Sequence, residues 1–196
     1  MGNASAKKVR VVSSEPLSWG LEQVVALRER YVAGNFDFGI RLEELDEILR
    51  DVFGDASAAE MLWERFAAYE EVNALELFCA LGLVSTASVD EKFRYVFEVV
   101  DFRNEGALHY DDICLALSLS VSGTCRFLGE EGRCEPERQV DLIFLKALKD
   151  TTASLRVNQL WHALETSILP ALCLRHDLTH LKDPKDFITL FGDEAR

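Results

Sequence analysis

An all-α fold is what this sequence predicts: eight main helices in four helix–loop–helix units, with short two-stranded β-ladders between paired loops. Three observations predict it. The stretch "DFRNEGALHYDD", residues 101–112, is a twelve-residue turn with Gly106 at its sixth place and Leu108 at its eighth. Apolar residues recur at helical spacing on both sides of it, Phe93, Phe97 and Val100 before and Ile113, Ala116 and Leu117 after. The same pattern, an aliphatic residue followed four places later by an acid and then an apolar residue, returns elsewhere along the chain at intervals of a few tens of residues.

Taken in order, the first unit has an entering helix carrying Val24, Leu27 and Tyr31, and an exit "IRLEELDEIL" with Ile40, Glu44, Leu45, Ile48 and Leu49. The second is entered by Leu62, Trp63 and Phe66 and left through "VNALELFCAL", with Val72, Glu76, Leu77, Ala80 and Leu81. The third begins at Ser88, with Glu91 three residues on, the signature of a capping box. The fourth is entered by Val140, Phe144 and Ala147 and left through "LRVNQLWHAL", where Gln159 takes the place of the acid. "GEEGRCEPER", rich in Gly and charge and containing Pro136, reads as the loop before it. The organisation predicted is a tail over 1–15, an N-terminal pair of units over 16–85, a C-terminal pair over 88–175 joined to it near "STAS", and a tail segment over 176–196. Within each pair the aliphatic eighth residues should meet across an antiparallel ladder, Ile40 with Val72 and Leu108 with Leu155, because such pairing satisfies loop backbone groups.

On these residues nearly the whole chain, from Leu17 to Cys173, resembles the four-EF-hand proteins of the calmodulin and calcineurin B-like superfamily. The third unit carries the match most clearly; the others match in hydrophobic pattern and not in ligands. The block "NALELFCALGLVSTASVDEKFRYVFEVVDFRNEGALHYDDICLALSLSVSG" also resembles EF-hand subunits of ciliary and flagellar axonemes. The first resemblance implies helical lobes that hold a partner helix, and the second implies a cytoplasmic setting at a cilium or flagellum with a microtubule-associated partner.

Calcium takes six to eight oxygens, drawn in such a loop from positions 1, 3, 5, 7 and 9 and a bidentate Glu at 12. The third loop offers Asp101, Arg103, Glu105, the carbonyl of Ala107, His109 and Asp112. Arg103 has no oxygen to give and brings a positive charge, and Asp112 is one methylene shorter than Glu. The first loop is poor in charge around Ala33, Asn35 and Asp37. The second, "AAYEEV", is about two residues too short, and the fourth, "LKDTTASLRVNQ", carries one carboxylate, Asp150. The expected cofactor is therefore none, or weakly bound calcium held by Asp101, Glu105, Ala107 and Asp112.

The formal charge of −13 makes the chain a poor partner for nucleic acid and suits basic protein partners or cations. Five widely spaced cysteines in mostly apolar runs read as reduced thiols. No apolar run reaches the roughly 20 residues of a membrane span. Gly2, followed by small residues and a lysine pair, resembles an N-myristoylation signal, with Ala6 where Ser or Thr is preferred; membrane contact is expected only through that group. His176 and His180 lie four apart without the Cys pair or HExxH glutamate of a zinc site. No motif for hydrolysis, phosphoryl transfer or redox chemistry is present, so neither an enzyme nor a small-molecule substrate is expected. Two readings of the function result. In one, the chain is a calcium-independent adaptor or structural subunit whose groove residues are Phe93, Phe97, Leu117 and Trp161, joined by Phe187 and Phe191 of the tail. In the other it is an N-myristoylated calcium sensor working through the third unit.

Overall fold

The computed structural model describes residues 18–129, 136–147 and 152–167. Gly2, both predicted tails, Phe187 and Phe191, and the side chain of Trp161 lie outside that description. Among the described residues the chain forms eight helices: α1 (Leu21–Ala33), α2 (Leu42–Phe53), α3 (Ala59–Phe66), α4 (Ala74–Val84), α5 (Val89–Val100), α6 (Tyr110–Leu128), α7 (Pro136–Lys146) and α8 (Val157–Ser167). Five short strands lie between them: β1 (Gly39–Ile40), β2 (Ala67–Ala68), β3 (Glu71–Asn73), β4 (Ala107–Leu108) and β5 (Leu155–Arg156). The described residues are thus mainly α with two small antiparallel sheets. No described helix is long and apolar enough to cross a membrane.

The helix starts are fixed locally. Ser88 accepts from the Glu91 amide while the Glu91 carboxylate accepts from the Ser88 amide at 2.9 Å, the reciprocal box its sequence predicts. Glycines in the left-handed region close α2 at Gly54 (φ 71°) and α6 at Gly129 (φ 70°), where a Cβ would be strained.

Both predicted ladder pairs form. Ile40 stands opposite Val72 and Leu108 opposite Leu155, each pair antiparallel and its members buried. The second loop departs from the expected pattern. Its shortness leaves no room for an open turn, so the chain folds back through Tyr69 and Glu70 and adds β2 to β3. The first sheet is consequently three-stranded, in the order β1-β3-β2, and not the two-stranded ladder predicted there.

Among the described residues one apolar cluster runs from Trp19, just before α1, and Val24 in α1 to Leu160 and Ala163 in α8, so the described parts of the two predicted halves share one core. Its centre is α4, buried almost all round. A helix apolar on every side has no solvent face to offer and belongs inside. The long α6 crosses α4, which it contacts more than any other helix. Small residues make that crossing close: a Cβ on Gly123 would stand 2.5 Å from the Glu76 carbonyl oxygen and 3.0 Å from the Ala80 Cβ.

Candidate functional site: the third loop and the loop-ending side chains

The third loop turns through Asn104 (φ 53°) and Gly106 (φ 64°), both left-handed. Asp101, its first residue, aims its carboxylate inward: Oδ1 accepts from the Glu105 amide at 3.1 Å and Oδ2 from the Gly106 amide at 2.8 Å. Asp112, its last, accepts from the His109 amide at 3.0 Å and from the Arg103 guanidinium at 2.6 Å. The pair Arg103–Asp112 is a charge-assisted bond of the strong kind, and Asp112 is the more buried partner at 17 % exposure. Glu105 stands 4.0 Å from the His109 ring. Asp101, Glu105, Ala107 and Asp112 do lie on one loop, as predicted. The donor set nevertheless does not fit calcium: at the third place a cation already sits against the carboxylate that would have to bridge the ion. Among the described residues no group of three or more His, Cys, Asp or Glu side chains is arranged to hold a metal.

The same internal use extends to the other units. Glu44 accepts from the Arg41 amide at 2.8 Å and Gln159 from the Arg156 amide at 3.1 Å, each closing the first turn of its helix. Glu76, 8 % exposed, leaves its own unit altogether: its carboxylate accepts from the Ser122 hydroxyl and, at 3.1 Å, from the Arg126 Nε, both on α6. All four loop-ending side chains are therefore engaged by this chain's own donors. The sequence signals the Arg103 charge and the Gln159 substitution. It carries no local signal for the Glu76 contact, whose partners lie some fifty positions on.

Three of the predicted groove residues lie within the described part of the chain. Phe97 and Leu117 are buried in the core and Phe93 is half-buried against it. They lie there because the 3.6-residue face that suggested a groove is the face that packs on α4 and the neighbouring helices. Beside the third loop an open cleft of about 710 Å³ remains, walled by Arg28 of α1, Arg94 and Glu98 of α5, Phe102 at the rim and Val157 at the start of α8. Arg94 is paired with Asp90 at 2.8 Å, and Arg28 donates to the Glu98 carbonyl at 3.1 Å. Phe97 touches this cleft as part of its floor. A scan of the chain against protein-family models finds no match.

Proposed function

We propose that this protein is a non-enzymatic adaptor or structural subunit of EF-hand type that holds a partner protein without needing calcium. The observation that carries the reading is the engagement of every loop-ending side chain by an internal donor, with Arg103 serving as the third loop's own cation. A sensor changes shape when an ion arrives because its carboxylates wait for that ion. Here the loops are closed by the chain itself, so the helices they join hold one arrangement whatever the calcium concentration. The resemblance of residues 73–123 to axonemal subunits supports a partner associated with microtubules in a cilium or flagellum. The acidic balance supports a partner of basic character, and the cleft beside the third loop offers it a concave contact.

Titration calorimetry with calcium tests the reading. The protein as it stands should give no binding heat at micromolar calcium and no change in tryptophan emission. A saturable heat in that range, accompanied by a spectral change, would instead make it a sensor.

A further inference from the structure

Helix α7 is apolar on two sides. Val140, Ile143 and Phe144 form the side that packs into the core. Leu142 and Leu145 lie on the opposite side, 43 % and 66 % exposed. A surface helix ordinarily carries one apolar stripe and turns a polar face outward, so a second stripe marks a face that something covers. The other exposed large apolar side chains, such as Val32, Phe38 and Phe102, stand one to a helix or loop, which is ordinary at a surface. Leu142 and Leu145 are neighbours at helical spacing.

Charge gives the stripe a direction. Arg138 lies one turn before Leu142 on the same side, exposed, and no carboxylate pairs with it among the described residues. The nearby Asp141 instead accepts from the Tyr110 hydroxyl of α6 at 3.0 Å. From its start to its end the face therefore reads cation, apolar, apolar. Residues 168–196 lie outside the described part of the chain, and their sequence carries the complement in reverse order. Phe187, Ile188, Leu190 and Phe191 are followed by Asp193 and Glu194. The apolar stretch nearer to α8, residues 169–174, lacks this match, because Arg175 follows it and would set like charge against Arg138.

We propose that the segment Phe187–Glu194 lies antiparallel across the outer face of α7, its apolar side chains over Leu145 and Leu142 and its two carboxylates at Arg138. Reach is no obstacle. Helix α8 packs on α7 and ends at Ser167, and the 19 residues 168–186 can span up to about 65 Å, against about 16 Å for the whole of α7. Tethering also favours this occupant over a separate one, because a linked segment acts at an effective concentration on the order of millimolar. The proposal stands apart from the adaptor reading: it closes one face of the molecule with the chain itself and leaves the cleft beside the third loop open.

The test records methyl spectra of the full, leucine-labelled chain. In the variant Phe187→Ser with Phe191→Ser, the Leu142 and Leu145 methyls should move toward the positions of exposed leucine. Those of the core residues Leu27 and Leu62 should stay in place, which shows the fold intact. Arg138→Glu should move the same two residues in the same direction. Adding Asp193→Arg and Glu194→Arg to it should return them to their parental positions, a rescue that mere loosening of α7 would not give. The parental positions should hold on tenfold dilution. Leu142 and Leu145 unmoved by the phenylalanine changes would overturn the proposal and leave the face to a partner protein. Parental positions that change on dilution would overturn it in favour of a second copy of the chain, and a triple variant without rescue would overturn the placement at Arg138. None of these results touches the calcium titration, so the adaptor reading stands or falls separately.

Discussion

Arg103 and Asp112 show how one pair of side chains decides what a loop can bind. Their 2.6 Å contact supplies inside the chain the positive charge that a loop of this shape otherwise takes from solution. Replacing Arg103 by Asn and Asp112 by Glu together should therefore bind calcium more tightly than the parent, read as a larger calorimetric heat at micromolar calcium; Asp112→Glu alone, with the guanidinium still present, should not. Lys92 makes a separate point about burial. It is 8 % exposed in the first turn of α5, and burial lowers its pKa from 10.5. A cation there also opposes the positive end of the helix dipole. Since the folded pKa lies below the unfolded one, the fold disfavours the charged form. That cost is fully present below the folded pKa and disappears as pH rises through it toward 10.5. Lys92→Met should stabilise the protein by roughly 1 kcal/mol at pH 7, with the gain shrinking in alkali. A gain independent of pH up to the lysine range would refute the burial account. The thiols are perturbed in the same way. Burial raises Cys79 to about 12 and Cys114 to about 11, so at pH 8 the buried Cys79 should not alkylate until the protein is unfolded and the half-buried Cys114 should alkylate more slowly than it does in the unfolded chain.

Elements were legible in the sequence where periodicity and caps agreed. The Ser88–Glu91 box, the exit patterns after Ile40, Val72, Leu108 and Leu155, and the two cross-strand pairs all rest on local rules, and the structure has each of them. The hairpin was not legible, because Tyr-Glu contradicts the turn chemistry that marks one; only the missing loop length hinted that the chain must double back. The burial of Phe97 and Leu117 was not legible for a different reason. Periodicity reports that a face is apolar and says nothing of what covers it. At the hairpin's tip Tyr69 and Glu70 are both left-handed, at φ 55° and 67°, a conformation that Asn-Gly adopts with little strain. Tyr69→Asn with Glu70→Gly should therefore raise stability by about 1–2 kcal/mol in denaturant titrations. Gly123→Ala should act the other way. Alanine is the better helix former by about 1 kcal/mol, but its Cβ would meet the Glu76 carbonyl at 2.5 Å, a backbone atom that cannot swing aside. Overpacking costs about 1–3 kcal/mol, so the net change should be a loss of stability.

The whole molecule is organised around α4, and that governs how its halves behave. An acid that ends the second loop binds Ser122 and Arg126 on the far side of the "STAS" connection, so one buried carboxylate ties α4 to α6. The apolar cluster is continuous across the same boundary, from Leu81 and Val84 to Tyr95 and Phe127. Two lobes on a flexible joint would melt separately, whereas one core with a shared central helix should melt once. Far-UV circular dichroism, reporting all helices, and the tryptophan emission of a Trp161→Phe variant, which leaves Trp19 and Trp63 as reporters of the first half, should therefore give coincident denaturant transitions. Arg126→Ala removes the charged donor and leaves Glu76 with the Ser122 hydroxyl at a site only 8 % exposed. A hydrogen bond to a charged group is worth about 1.5–3 kcal/mol. Arg126 is itself 41 % exposed, so solvent screens part of this and a loss near 1.5 kcal/mol is expected. The two probes should still coincide in the variant, because the core remains common to both halves. Separate transitions, in the parent or in Arg126→Ala, would show that the halves fold independently and that the α4–α6 contact is incidental to the architecture.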